Sequence, residues 1–318
     1  MLTPEEIVGL LSPTTPDLSP RIGVMDKVWE ADGSKITGRF FYVMFRDSKP
    51  TVDDLVTIAH ARLVNFVMPR ERIEEVQAEL TNNPGVMDPW MALATEARDL
   101  FMKTNKETGR SGELGELLLY MLIEWVLKAP IVACKMYLKT AQQMPVHGVD
   151  GIHLGYESDK LILHWGESKL HQTLHSALDD IAESVSEFVG DPSKYDNEIR
   201  IVRANLNLGA MDADARQAIK NYFNTYKLES NNFAASYACL AGFDSKLYDD
   251  VAHLDHSECE AAFRTAYEAK RIDSACKLIE QKVTAAGLDQ YRFSYFLLPF
   301  PSVDEARAKF QKRLWGSQ

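Results

Sequence analysis

Asp150, Glu167 and Lys169 have the residue types and the spacing of a metal-dependent hydrolytic site. Extended, largely apolar runs flank the polar turn Glu157-Ser158-Asp159-Lys160, which predicts a β-hairpin. With the turn centred between Ser158 and Asp159, Asp150 lies opposite Glu167, on the same face and with Cα atoms about 4.5–5.5 Å apart. Lys169 joins that face because side chains alternate along a strand.

Two opposed carboxylates repel each other, and a divalent cation removes the conflict. Oxygen ligands suit Mg²⁺ or Mn²⁺, with Asp150 and Glu167 as ligands and the backbone carbonyl of Ser168 as an extra one. Lys169 would then position the attacking water or neutralise charge on a phosphate. The alternative is an ordinary solvated hairpin. Apolar flanks, nearby glycines and a helix directly after the second strand favour the site.

The helix predicted over Ser111–Leu127 is apolar nearly all round and is therefore expected to be buried. Glu113 and Glu116 lie one turn apart near its start. Acidic residues also favour a helix N-terminus for electrostatic reasons alone, so an ordinary stabilising role stays open for Glu113. Arg110, just before them, is a candidate for binding a phosphate or a plain helix-end charge.

The motif Asp150…Glu167-Ser168-Lys169 resembles the D…(D/E)xK signature of the restriction-endonuclease-like PD-(D/E)xK nucleases. The longer string GVDGIHLGY…LILHWGESKLH is similar to the nuclease subunit of Hachiman-type anti-phage defence systems and to its counterpart in a related two-gene phage-inhibition system. The resemblance extends over most of the chain, including the terminal LLPFPSVDEARAKF.

The resemblance implies a metal-dependent DNA nuclease that works with a superfamily-2 helicase. Its fold would be α/β, a mixed sheet flanked by helices. The turn residues Asn82-Asn83-Pro84-Gly85 mark a boundary between an N-terminal strand–helix elaboration over 1–84 and the nuclease core with its C-terminal elements over 85–318, within one continuous globular unit. These nucleases place a glutamate on the helix before the hairpin. That role is carried to Glu116, where apolar neighbours predict burial, with Glu113 as the substitute.

The second strand runs into a predicted helix from His171 to Val189, which places several polar side chains near the site. His171 and Gln172 are candidates for substrate contact. His171 and His175 have the spacing of a zinc pair, as do His253 and His256 with Cys259, but neither set has a recognisable remaining ligand.

Composition limits the function classes. The 318-residue chain is 46 % hydrophobic, enough for a large core, and has no apolar run long enough to span a membrane. Its first residues, MLTPEEIVGLL, lack the basic start and apolar core of a signal peptide, so none is expected. Four scattered cysteines predict free thiols in the cytoplasm. A net charge of −11 predicts weak DNA binding by the isolated chain, so that a partner delivers the substrate.

The elements expected around the hairpin alternate strands and helices. A loop containing Pro13, Pro16 and Pro20 is predicted to be a surface arm. Strands are predicted at Ile36–Arg46, Phe233–Phe243 and Tyr291–Pro299, and helices at Val52–Val67, Pro69–Leu80, Ala129–Met144 and Ser257–Ala286. Basic side chains recur in three helical regions: 191–217, 257–286, and the C-terminal helix with Arg307 and Lys309.

Two other functions stay open on sequence alone. The chain could be a non-catalytic subunit that binds DNA or its helicase through a decayed nuclease fold, or a nuclease of RNA or branched DNA. The phosphate chemistry is the same for each nucleic acid, and no base-reading motif is visible.

Overall fold

The computed structural model describes residues 3–11, 13–33, 35–108, 112–134, 137, 150–204, 206–209 and 211–316. A seven-stranded sheet runs through the described chain in the order β1-β2-β9-β8-β7-β6-β5. Strands β2, β9, β8 and β7 are mutually parallel, and antiparallel strands complete both sides. The mixed sheet flanked by helices confirms the predicted α/β class.

The helices and strands account for most of the described residues. The strands are β1 (Ile22–Glu30), β2 (Ile36–Val43), β3 (Phe45–Arg46), β4 (Lys49–Pro50), β5 (Ile131–Ala133), β6 (Gly151–Glu157), β7 (Lys160–His171), β8 (Phe233–Asp244) and β9 (Phe293–Phe300). The helices are α1 (Pro4–Leu11), α2 (Val52–Ala61), α3 (Leu63–Val67), α4 (Arg70–Asn82), α5 (Asp88–Thr108), α6 (Glu113–Val126), α7 (Leu174–Val189), α8 (Pro192–Ala204), α9 (Ala213–Tyr222), α10 (Leu247–Val251), α11 (His256–Tyr267), α12 (Asp273–Ala285) and α13 (Val303–Trp315).

Helices cover both faces of the sheet, which explains why its central strands are almost continuously apolar. On one face α6 lies against β7, with Leu119 next to Gly166. On the other face α7 and α8 cover the same strand, and Trp165 packs against Phe188 with ring centroids 5.3 Å apart. Every residue of β9 is buried.

The β6–β7 hairpin has the predicted register. Gly151 pairs with Gly166 and Glu157 with Lys160, so the turn consists of Ser158 and Asp159. Both turn residues have positive φ, 50° and 60°, as a two-residue turn that follows the twist of its strands requires.

Several predicted elements differ from the structure. Residues Ile131–Ala133, expected within a helix, form β5 beside β6 because three buried apolar residues fit a sheet edge as well as a helix. The helix expected over Val52–Val67 divides into α2 and α3, with Arg62 between them. Strand β1 and the long helix α5 were not predicted. Most of 135–149 lies outside the described residues.

The thiol prediction is confirmed, since all four cysteines are buried and free. No helix in the described ranges has the length and apolar character needed to cross a membrane.

The proline-containing loop is not a free surface arm, contrary to expectation. Its residues Thr14 and Thr15 both donate their backbone N–H and hydroxyl groups to Oε2 of Glu124, at 2.8–3.1 Å. Glu124 lies on α6 with no exposed surface, and its Oε1 accepts the N–H of Ile131 at 3.2 Å. Leu18, in the same loop, is completely buried. One buried carboxylate therefore joins the N-terminal loop, α6 and the start of β5.

Replacing Glu124 by Ala should lower the free energy of unfolding by about 3–5 kcal/mol, because several buried donors would lose their acceptor together. Urea denaturation followed by circular dichroism measures the change. Glu183→Ala, at an exposed position of α7, is the control and should change stability by no more than about 0.5 kcal/mol. Equal stabilities of the two variants would contradict the anchoring role of Glu124.

Candidate active site

The predicted charged residues meet where β7 extends past the start of β6. The backbone N–H of Asp150, just before β6, donates to the carbonyl of Gly166 at 2.8 Å, which places Asp150 beside Glu167. The same end of β7 runs parallel to β8, with Glu167 paired to Cys239 and Lys169 to Ala241. The group therefore lies toward the carboxyl end of a parallel strand, where open α/β sheets bind ligands.

Glu167 is a buried carboxyl group with only 8 % of its surface exposed. Lys169 donates from Nζ to its Oε1 at 2.6 Å. Burial and then the negative charge of Asp150 raise the pKa of Glu167 to about 7, while Lys169 acts in the opposite direction. The pKa reports the conflict expected when two carboxylates share a site of low polarity.

Lys169 stays positively charged in this environment. Burial lowers its pKa, but the carboxylates of Glu167, Asp150 and Asp180 outweigh that effect, so the net pKa is raised above the usual lysine value. Its side chain is about a quarter exposed, which leaves the ammonium group within reach of a bound substrate.

Asp150 is held by the residue between Glu167 and Lys169. Its Oδ2 accepts the backbone N–H of Ser168 at 2.8 Å and the Ser168 hydroxyl at 2.6 Å. In a strand the N–H and C=O of one residue point to the same side. The Ser168 carbonyl therefore faces the edge of β7 that Asp150 occupies.

The two glutamates of α6 lie on the opposite face of the sheet from Glu167. Gly115 is close to Ser168 and Leu170, whose side chains alternate with those of Glu167 and Lys169. The expected order of burial is reversed, because Glu113 is only 6 % exposed and Glu116 is half-buried. Burial raises the pKa of Glu113.

Arg307 also lies in this region, although the sequence predicts only that it belongs to a basic C-terminal helix. Its guanidinium donates to the carbonyl of Leu170 at the edge of β7 and lies 3.5 Å from Asp304 on α13. Its positive charge also acts on Glu113. Arg307 is far from the hairpin in sequence, so the sequence does not predict this contact. The contact depends on how α13 packs against the sheet.

The other candidate substrate-binding residues have different surroundings. His171 Nε2 lies 2.8 Å from Asp180, and Gln172 Nε2 donates to Asp304 at 2.9 Å. His175 contacts Asp179 at 2.8 Å, so the two histidines face different carboxylates and do not form a zinc pair. Arg110 lies outside the described residues.

The donors fit a hard divalent cation only if water and substrate complete its coordination. Within the described ranges, no three His, Cys, Asp or Glu side chains are grouped to hold a metal ion. Asp150 and Glu167 supply two carboxylates, and Mg²⁺ is commonly bound by one or two carboxylates together with water and phosphate oxygens. A bound cation would also reduce the repulsion between the buried carboxyl group of Glu167 and the carboxylate of Asp150.

Ser168→Ala should lower the free energy of unfolding by about 1.5–3 kcal/mol, since a buried hydrogen bond to a carboxylate is lost. Ser193 offers a matched control because its hydroxyl also donates to a carboxylate, Asp191, at 2.6 Å, but on the surface. Ser193→Ala should cost less than about 1 kcal/mol. Equal costs in thermal or urea unfolding would show that Ser168 does not hold Asp150 as described.

The sequence matches the model of a known protein family. The model of the HamA family matches residues 22–314, nearly the whole chain, including the complete hairpin and all but the last residue of α13. No curated protein matches the chain.

Proposed function

The chain belongs to the HamA family, and we propose that it is the metal-dependent DNA nuclease of its system. HamA proteins are components of the multi-subunit Hachiman anti-phage defence system. The observation that carries the proposal is the group formed by Asp150, Glu167 and Lys169 at the end of β7. Two carboxylates and a charged lysine in one partly buried corner suit phosphodiester hydrolysis.

Asp150 and Glu167 would hold Mg²⁺ or Mn²⁺, with the carbonyl of Ser168 as a further ligand. Such an ion would supply positive charge that polarises the phosphate and favours deprotonation of the attacking water. Asp150 is already fixed by Ser168, and Glu167 by Lys169, so both carboxylates are oriented before any ligand arrives.

Lys169 would orient the attacking water and offset negative charge on the phosphate. It is charged, partly exposed and on the same face as Glu167, so its ammonium group can reach a phosphate bound beside that carboxylate. Because α6 lies on the opposite face of the sheet from Glu167, Glu113 or Glu116 would add a ligand only at the edge of β7, directly or through water, where Asp150 contacts the Ser168 hydroxyl. Glu113 is the better candidate, because it is buried and is acted on by the charge of Arg307, whose guanidinium contacts Leu170 at the edge of β7.

A groove beside the site supports a path for a nucleic acid strand. It has a volume of about 480 Å³ and is lined by Gln172 at the end of β7 and by the basic residues Arg271 and Lys277. Arg271 lies in a π-helical segment, Glu268–Ile272, between α11 and α12, and such segments are common at functional sites. Gln172 would contact the strand here, and His171 would do so from the preceding position.

The acidic character of the chain supports the need for a partner. With a net charge of −11, the whole protein repels DNA at long range even though one groove is basic. We propose that a superfamily-2 helicase of the same system brings the DNA strand to the site.

A second candidate function is a non-catalytic subunit. It is favoured by the hydrogen bonds that already hold one oxygen of each carboxylate, from Ser168 to Oδ2 of Asp150 and from Lys169 to Oε1 of Glu167. Calorimetric titration with Mn²⁺ separates the two functions. Binding that is lost in Asp150→Asn supports the nuclease, whereas a folded chain that takes up no Mn²⁺ supports the second function.

Glu167→Gln and Lys169→Met should each reduce plasmid cleavage in Mg²⁺ or Mn²⁺ by about 100-fold or more while leaving the protein folded. Lys160→Met is a matched control, because Lys160 lies exposed at the other end of the same strand, and it should cleave like the wild type. Chelation with EDTA should abolish cleavage. Activity retained in the folded Glu167→Gln Lys169→Met double variant would refute the assignment.

Cleavage should also depend on the partner. The wild-type chain alone should cut DNA slowly, and adding the helicase with ATP should increase the rate, because the acidic chain binds DNA weakly by itself. The rate is measured with and without helicase at several salt concentrations. If active helicase leaves DNA intact but single-stranded or structured RNA is cut by the same residues, the substrate assignment to DNA is wrong.

A further inference from the structure

A cavity of about 710 Å³ lies at the opposite end of α6 from the candidate active site. It opens between the C-terminal end of α6, at Val126 and Leu127, and the amino ends of the central parallel strands. The register brings Thr37 beside Ser294 and His164 beside Ser236, so neighbouring strands contribute adjacent side chains to one wall. The volume is within the range of small-molecule sites.

Three buried polar atoms in this wall have no hydrogen-bond partner among the described residues. They are Nη1 of Arg39, Nδ1 of His164 and Oγ of Ser236. Ser236 is completely buried, and His164 is 9 % exposed. Buried polar groups are normally paired, and one that stays unpaired costs about 1–3 kcal/mol. Three such atoms, all on residues that line one cavity, indicate a ligand that satisfies them together.

The charges around the cavity point to an oxyanion. Arg292 is paired with Glu157, and the remaining acids of the lining, Glu30 and Asp32, are exposed at the mouth. Arg39 lies deeper than these acids, and burial lowers its pKa. The negative charges of Glu30 and Glu157 raise that pKa in part, but only through longer-range attraction. A guanidinium that has lost water and has a free nitrogen is a strong site for a phosphate or carboxylate oxygen.

The deeper polar groups suit the other oxygens of the same anion. His164 is neutral, because burial and the charges of His153, Arg292 and Arg39 lower its pKa to about 3. A neutral imidazole can donate one hydrogen bond, and the hydroxyls of Ser236 and Ser294 add two more donors. Glu30 and Asp32 at the mouth would accept hydrogen bonds from donor groups at the end of the ligand opposite the phosphate.

We propose that this cavity binds a small phosphorylated molecule of mononucleotide size, with its phosphate on Arg39, His164 and Ser236. The proposal is independent of the nuclease function. The cavity and the candidate active site contact opposite ends of α6, which is 14 residues and so about 21 Å long. None of the residues that bind the proposed metal lines the cavity.

The test is isothermal titration calorimetry of the full chain in EDTA with two probes, inorganic phosphate and adenosine monophosphate. We expect the nucleotide to bind, and phosphate to compete with it. Arg39→Met should weaken nucleotide binding by about tenfold or more, because a charge-assisted hydrogen bond is lost. Arg72→Met changes an exposed arginine of α4 and should bind like the wild type.

Two further variants decide the remaining outcomes. Glu167→Gln should bind the nucleotide normally, which separates this cavity from the metal site. If Arg39→Met does not fold, the Ser236→Ala Ser294→Ala double variant, which keeps every charge, should weaken binding about threefold or more. No binding of either probe at millimolar concentration by the folded wild type overturns the proposal, as does equal binding by wild type and the folded cavity variants.

Discussion

The pairing register of the β6–β7 hairpin is the constraint on which the candidate site depends. Because side chains alternate along a strand, a shift of one residue would turn Glu167 and Lys169 toward α6 and bring Ser168 to the other face. The two left-handed residues Ser158 and Asp159 fix this register from the turn. Strand β8 holds β7 from its other side, in parallel pairing from Leu161 to His171.

Charge compensation explains the rest of the local geometry. A buried Glu167 next to Asp150 is unfavourable for folding, because burial, and then the negative charge of Asp150, disfavour its ionised form and raise its pKa. Lys169 and the backbone of Ser168 reduce that cost without removing it. A purely structural role would be met better by apolar residues of similar size. Two neighbouring carboxylates at the end of a parallel strand are consistent with the proposal that a cation and a phosphate bind there.

Helix α6 connects the main features of the molecule. Its first turn lies against the edge of β7, where Gly115 allows Ser168 and Leu170 to approach closely. Near its other end Glu124 fixes the N-terminal loop, and its last residues line the polar cavity. Because the helix is buried almost all round, its position relative to the sheet is set by all of these contacts together.

Local sequence determined the elements whose patterns are strong. The alternation and turn around Ser158 fixed the hairpin, the apolar α6 was evident from its composition, and β8 and β9 followed from apolar runs. The pairing of Asp150 with Glu167 was predictable for the same reason, since register follows from turn length. Short buried segments such as Ile131–Ala133 were not predictable. Three apolar residues are too few to distinguish the period of a helix from that of a strand.

Tertiary packing decided what local sequence could not. Glu113 and Glu116 both lie in the first turn of α6, and only the packing of that turn on β7 buries the first more deeply than the second. Arg307 reaches Leu170 because α13 returns to the sheet from the end of the chain. The cavity around Arg39, His164 and Ser236 draws its side chains from three strands far apart in sequence. Contacts of this kind depend on the three-dimensional path of the whole chain, whereas turn chemistry and side-chain alternation depend only on neighbouring residues.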